Sequence, residues 1–260
     1  MRGAKGAKVK LLVYSAADAE PRLLEIERDD IMVPNVKGAK IIRDGVGYVR
    51  LTQFAKPTDA ALQASLDKLL AEGMTALVLD LRNNPGGLLM SACAVAEKFL
   101  DKDAVIVTTR GRKGVQEEVI NRAGGKVRLT NIPMAILVNG GSASASEIVA
   151  GALKDHHRAV LIGTRTFGKG SVQSVIPLAA DASMAVRLTV AYYYTPSDVC
   201  IHETGIAPDI EVEMKPEEWR GVLMRRAAEE TPGLFTDEQK RQNADAVDVQ
   251  LERARSEEHT

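Results

Sequence analysis

Aromatic residues are scarce: five tyrosines, four phenylalanines and one tryptophan make up 4% of the 260 residues. Any core must therefore be filled by aliphatic side chains. Two cysteines, Cys93 and Cys200, define neither a disulfide framework nor a metal-ligand spacing. Cys93 lies in an apolar helical stretch and reads as a small core residue. Neither sign of charge dominates, since 34 basic and 35 acidic residues leave a net charge of −1. That balance gives no electrostatic footprint for nucleic acid and no polybasic membrane patch. No apolar run approaches the roughly 18 residues of an integral membrane segment. The cationic start, Met1 to Lys8, leads into Val9–Tyr14, which is too short and strand-like for the apolar region of a signal peptide. What remains, 45% hydrophobic and 27% charged, suits one substantial core with a small extra module.

Two strands around a turn are expected over Val9–Tyr14 and Leu23–Glu27, and two more around Asp44-Gly45 between Lys40 and Leu51. Thr58 to Glu72 carries apolar residues at Ala61, Leu62, Leu66, Leu69 and Leu70, the spacing of an amphipathic helix. A buried strand over Thr75–Asp80 follows, then the breaker Asn83-Asn-Pro-Gly-Gly and a helix over Leu88–Leu100. Further strands are expected at Ala104–Thr109, Met134–Asn139, Val160–Gly163, Val172–Pro177 and Ala185–Tyr194, with a helix from Ser144 to His156 and charged helical sequence from Pro216 onward. Alternating strands and helices predict an α/β core with parallel pairing. Functional groups in such cores gather after the carboxyl ends of strands, and segments 82–87, 139–146 and 163–171 fit that description.

Val138-Asn-Gly-Gly-Ser-Ala-Ser-Ala-Ser-Glu-Ile leaves a strand and opens a helix. Ser144 and Glu147 have the spacing of a capping box, so Ser144 could simply cap the helix. The same geometry presents a serine hydroxyl outward, with the Ala145 N–H free to meet an oxyanion and a second donor available from the Pro85-Gly86-Gly87 turn. A serine nucleophile needs a proton acceptor. His156 and His157 lie about 18 Å along the predicted helix from Ser144, out of reach. His259 sits in a polar tail, while His202 is free to approach. Lys169, in Gly163-Thr-Arg-Thr-Phe-Gly-Lys-Gly, is either a solvated loop lysine or a base whose proton affinity is lowered by burial beside Phe167. Gly163 and Gly168-Lys169 imitate a phosphate-binding loop, but Gly170 stands where a Ser or Thr is needed and strand rather than helix follows.

Four stretches in order resemble the carboxyl-terminal processing (tail-specific) protease family of Ser–Lys peptidases. They are Asp80–Gly87, Gly140–Leu153, Thr166–Gln173, and Tyr193–Ser197 with Gly205–Val212. The resemblance covers roughly residues 30–212. It implies a crotonase/ClpP-like α/β core of mixed strands and helices over residues 30–214, with the closing strands of a PDZ domain at 1–29 and a helical segment at 215–260. It makes Ser144 the nucleophile, rather than Ser142 or Ser146, and Lys169 the base, with Gln173 positioning the lysine. Gly87 and Ala145 match the oxyanion-hole amides, and Glu147, Asp155 and Thr166 match supporting positions. No metal or organic cofactor is implied. The implied partner is a polypeptide with an accessible C-terminal tail, and the implied location is extracytoplasmic: periplasm, envelope or lumen. The carboxylate-binding loop of a PDZ domain has no counterpart in residues 1–29. A catalytically silent peptide-binding or scaffold protein on the same fold is the alternative. The 215–260 segment is expected to pack on the core or remain solvated, or else to serve homo-oligomerisation through its helices.

Overall fold

A computed structural model describes residues 3–14, 20–30, 34–112, 118–125, 129, 131–178 and 181–257. The chain forms two compact units, Met1–Pro34 and Asn35–Thr260. In the first, strands β1 (Lys8–Val13) and β2 (Arg22–Glu27) pair antiparallel, with Lys8 opposite Glu27 and Val13 opposite Arg22.

The larger unit opens with β3 (Val36–Arg43) and β4 (Val46–Leu51), joined by Asp44-Gly45 with both residues at positive φ. Then come α1 (Thr58–Ala71), β5 (Ala76–Asp80), α2 (Leu89–Ala96), β6 (Val105–Gly111), β7 (Val119–Arg122), β8 (Met134–Val138) and α3 (Ala145–Asp155). The chain continues through β9 (Val160–Gly163), β10 (Ser171–Leu178), β11 (Asp181–Tyr194) and β12 (Ile210–Glu211), and then helices α4 (Pro216–Glu230), α5 (Asp237–Gln242) and α6 (Val249–Glu257). Helix α2 is shorter than the apolar run 88–100 suggested, because Glu97 to Phe99 continue as turns.

Six strands form the central sheet in the order β12-β9-β8-β5-β4-β3. Every pairing in it is parallel except β3 with β4, so the expected α/β core is present. Period-two alternation divides β5 between the two faces. Leu77 and Leu79 join the larger cluster with Leu62, Leu66 and Leu69 of α1 and Val149 and Leu153 of α3. Each such leucine contributes roughly 1.5–3 kcal/mol on full burial. Ala76 and Val78 face the opposite side, where Leu137, Ile162 and Ala254 of α6 pack. Asp80 shares that second face, a placement that matters below. A separate antiparallel sheet, β10-β11-β6-β7, stands beside the core. Among the described residues no helix is long and apolar enough to cross a membrane.

Candidate active site

Three loops leave the carboxyl ends of the adjacent parallel strands β5, β8 and β9, as the motif positions predicted. They are the Asn83–Gly87 turn, the approach to α3 and the 164–170 segment.

The β8 loop sorts its serines. Ser142 is fully buried, donating its hydroxyl to Leu81 O at 2.8 Å and accepting from Asn139 N at 3.0 Å. Ser146 is equally buried and donates to Asn84 O at 2.9 Å. Ser144, between them, is half-buried at the N-cap of α3, and its hydroxyl makes no cap hydrogen bond. Its backbone sits at φ 57° and ψ −115°, where a residue with a Cβ is strained by roughly 1–3 kcal/mol. Of the expected reciprocal cap, the carboxylate half is a bond from Ser144 N–H to Glu147 Oε2 at 2.7 Å. The hydroxyl is thus left for other chemistry.

Asn139 joins the β8 loop to the glycine turn: its Oδ1 accepts from Asn83 N at 2.9 Å and its Nδ2 donates to Asn83 Oδ1 at 3.0 Å. Asn84 is fully buried, and its carbonyl accepts from Ala143 N at 3.0 Å as well as from Ser146. Gly86 lies so close that a Cβ there would be 2.8 Å from both Ala145 N and Ser144 Cβ. A Cβ on Gly87, at φ 149°, would lie 2.0 Å from Phe54 O. Only glycine admits this approach. Among the described residues, the N–H groups of Gly87 and Ala145 have no protein acceptor. Two free backbone donors beside a serine hydroxyl suit an oxyanion.

Glu147 organises the third loop. It is fully buried; Oε1 accepts from the Thr166 hydroxyl at 2.6 Å and Gly168 N at 2.7 Å, and Oε2 accepts from Lys169 N at 2.8 Å in addition to Ser144 N. The Ser144 and Lys169 backbone nitrogens therefore lie no more than 5.5 Å apart, the sum of 2.7 and 2.8 Å to their common oxygen. Thr166 accepts in turn from Ile206 N at 2.7 Å. Asp155 closes α3 and accepts from Ser197 N at 2.8 Å, a supporting contact away from the hydroxyl.

Of the two readings of Lys169, the solvated side chain is the one found. Gly168 and Gly170 are buried against Glu203 and His202, whereas Phe167 and Lys169, alternating with them, face outward. The glycines pack their own backbone instead of admitting a cover for the lysine, and Phe167, 67% exposed, provides none. Among the described residues the Lys169 amine has no hydrogen bond or ion pair. Gln173, at a β-bulge in β10, is also exposed. Helix α3 ends before His156, whose Nε2 lies 2.7 Å from Val105 O. His202 stacks on Tyr192 at 4.8 Å, with no described bond to Ser144. His259 lies outside the described residues.

Behind the glycine turn is a buried ionic cluster that motif reading passed over. Arg82 donates to Asp80, Asp248 and Gln250, Arg226 to Asp80 and Asp248, and the Tyr48 hydroxyl to Asp80 at 2.7 Å. Burial alone would raise the Asp80 pKa, but the Arg82 and Arg226 charges outweigh it and hold the carboxyl well below its ordinary range. Asp248 is depressed for the same reason against the same burial. Desolvation and the Asp80 charge push the Tyr48 phenol up. The guanidinium of Arg82 lies 5.0 Å from the Trp219 ring centroid.

The sequence profile of Peptidase family S41 matches residues 45–212, the span that holds all three loops. The chain is 47% identical over 227 residues to a carboxy-terminal-processing protease of Bartonella bacilliformis, covering 85% of this chain and 51% of that protein. It is 42% identical over 216 residues to a carboxyl-terminal-processing protease of Synechocystis sp., covering 82% of this chain and 49% of that protein. The structure of a photosystem II D1 C-terminal processing protease superposes with a TM-score of 0.63 at 35% identity, over 81% of this chain and 57% of that one. The chain thus spans about half the length of the curated relatives it matches. A profile match across most of the larger unit, with the three loops in register on the parallel sheet, identifies the chain as a member of peptidase family S41.

Proposed function

We propose that this chain carries the catalytic apparatus of a serine endopeptidase that cleaves polypeptides near their C-terminal tails, with Ser144 as nucleophile and Lys169 as general base. The observation that carries this reading is the shared carboxylate. Glu147 Oε2 holds the N–H of Ser144 and of Lys169 together, beside the unoccupied donors of Gly87 and Ala145. With the two backbones so close, the flexible four-carbon stem of Lys169 can swing its amine to the hydroxyl. An extended substrate lying over the exposed 167–170 face shields that amine from water. Gln173, at the bulge four residues on, steadies it there.

In the reaction, the free amine of Lys169 takes the Ser144 proton as Oγ attacks the scissile carbonyl. The Gly87 and Ala145 N–H groups hold the oxyanion, a contact for which loss of one donor costs about 2.7–4 kcal/mol elsewhere. The ammonium then gives its proton to the departing amine. Water attacks the acyl-enzyme in the second half, with Lys169 again as base. Glu147 and Thr166 fix the two loops, and Asp155 supports the far end of α3.

Ser144→Ala is expected to abolish both peptide cleavage and labelling by a serine-acylating probe. Lys169→Ala is expected to lower kcat by about 10²–10⁴-fold; full activity in that variant would remove the lysine from the mechanism. The exposure of Lys169 also favours a second reading, a silent peptide-binding protein. Wild-type chain that binds an unstructured peptide without cutting it would establish that reading.

Three further assignments belong to the proposal. Residues 1–29 are the closing strands of a PDZ domain, in keeping with the β1–β2 hairpin and its outward Leu12, Leu23 and Ile26. The site of action is extracytoplasmic, which cell fractionation tests. Any homo-oligomer built through the C-terminal segment would use the outward Leu234 and Val247, so sedimentation should respond to charged replacements there.

A further inference from the structure

The family match ends at residue 212, yet the fold does not. Asp248 and Gln250, at the start of α6, reach Arg82 in the middle of the sequence. Arg82 has no exposed side-chain surface, and its five N–H donors are all engaged. Nε donates to Asp80 Oδ1 at 3.0 Å, and Nη1 donates to Asp248 Oδ1 at 2.8 Å and Gln250 Oε1 at 2.9 Å. Nη2 donates to Asp80 Oδ2 at 2.7 Å and Asp248 Oδ2 at 2.8 Å. Asp248 thus grips the guanidinium as a bidentate fork, the geometry that fixes an arginine in both position and plane. The two arginines and two aspartates of the cluster cancel in charge, which makes such a buried arrangement tolerable.

Arg82 begins the turn that frames Ser144. Two residues on, Asn84 accepts from Ala143 N and the Ser146 hydroxyl on either side of that serine, and its Oδ1 holds Gly86 N at 2.9 Å. Any displacement of Arg82 is carried along this short chain to the Gly87 donor.

We propose that Asp248 is a positioning residue for the serine site, acting through Arg82 on the Asn83–Gly87 turn. The C-terminal segment is then a working part of the catalytic unit. This inference rests on Ser144 being the nucleophile.

The test is Asp248→Asn in the full chain, a near-isosteric change that breaks the fork. Two readouts are taken well below the unfolding temperature. Hydrogen exchange at the bonded amides of Asn84, Gly86 and Leu88 should quicken by at least about tenfold. Peptide kcat should fall about 10- to 100-fold with KM within about threefold, as misplacement of catalytic donors requires. A second variant, Arg82→Leu with Asp248→Leu, leaves Asp80 paired with Arg226. It should regain stability relative to Asp248→Asn while exchange and kcat stay impaired, whereas a purely structural role has all three recover together. Unchanged exchange at those amides, a kcat within twofold of wild type, or joint recovery in the double variant overturns the proposal. Continued cleavage by Ser144→Ala would overturn the nucleophile assignment instead, and the exchange result would still decide the link between Asp248 and the turn.

Discussion

Replacing Glu147 with glutamine tests the centre of the site with a single atom. Four donors converge on two carboxylate oxygens, and none of the four is replaceable by water at a fully buried position. A glutamine has one acceptor oxygen and a nitrogen that only donates. Placed with its NH₂ toward Ser144 and Lys169, it would strand two backbone N–H groups. Turned the other way it strands Gly168 N–H, and the Thr166 hydroxyl, which keeps the Ile206 N–H, reverses to accept from the new amide and gives up the acceptor of its own proton. The second orientation is therefore the one expected. The stranded Gly168 N–H costs about 1–3 kcal/mol, and the unpaired hydroxyl proton and the surviving bonds, weakened as the charge disappears, add up to about 1 kcal/mol each. The sum is a loss of roughly 2–5 kcal/mol, a large part of the typical 5–15 kcal/mol for a domain. Urea unfolding followed through Trp219, the single tryptophan, reads this directly in the larger unit. A midpoint shift worth under about 0.5 kcal/mol at unchanged slope would refute the four-bond account.

Gly86→Ala should abolish cleavage and destabilise the chain, since its Cβ would fall 2.5 Å from Ala143 O at a φ of 95°; a soluble, active variant in a peptide assay would contradict that geometry. Acid unfolding has a definite sign. Asp80 and Asp248 have depressed folded pKa values, so their stabilisation is present above the unfolded carboxylate pKa of about 3.9 and disappears as pH falls through the lower folded values. Asp248→Asn should therefore lose less stability than wild type as pH falls below that value, measured by circular dichroism. Burial, aided by Glu97, pushes the Cys93 thiol up to about 11. At pH 8 its thiolate is scarcer than that of an ordinary cysteine by a few hundredfold, so mass spectrometry should find Cys93 unalkylated by iodoacetamide until the protein unfolds.

The parts of this molecule written in local sequence were legible before any coordinates. The glycine turn after β5, the serine loop after β8 and the loop after β9 each announce a strand end, and parallel pairing brings strand ends together. The burial of Ser142 and Ser146 was not local, since each depends on a carbonyl some sixty residues away. The antiparallel sheet was invisible as a sheet because β6 finds β11 across the whole serine segment. Local sequence left Lys169 open between a solvated and a buried side chain, and the tertiary packing of its neighbours decides for the solvated one. The glycines on either side of it make room for the backbone of residues 202–203, a contact between segments more than thirty residues apart. Asp248 offered no signal at all, being one aspartate in a charged helical stretch 166 residues from its partner.

The left-handed backbone at Ser144 has a consequence for how this chain can change. A glycine at that position would adopt the same φ and ψ without the strain of a Cβ, at an entropic cost of only a few tenths of a kcal/mol at an N-cap, so the most relaxed version of the loop is one with no hydroxyl. On the assignment of Ser144 as nucleophile proposed above, selection for durability and selection for turnover pull against each other at this residue.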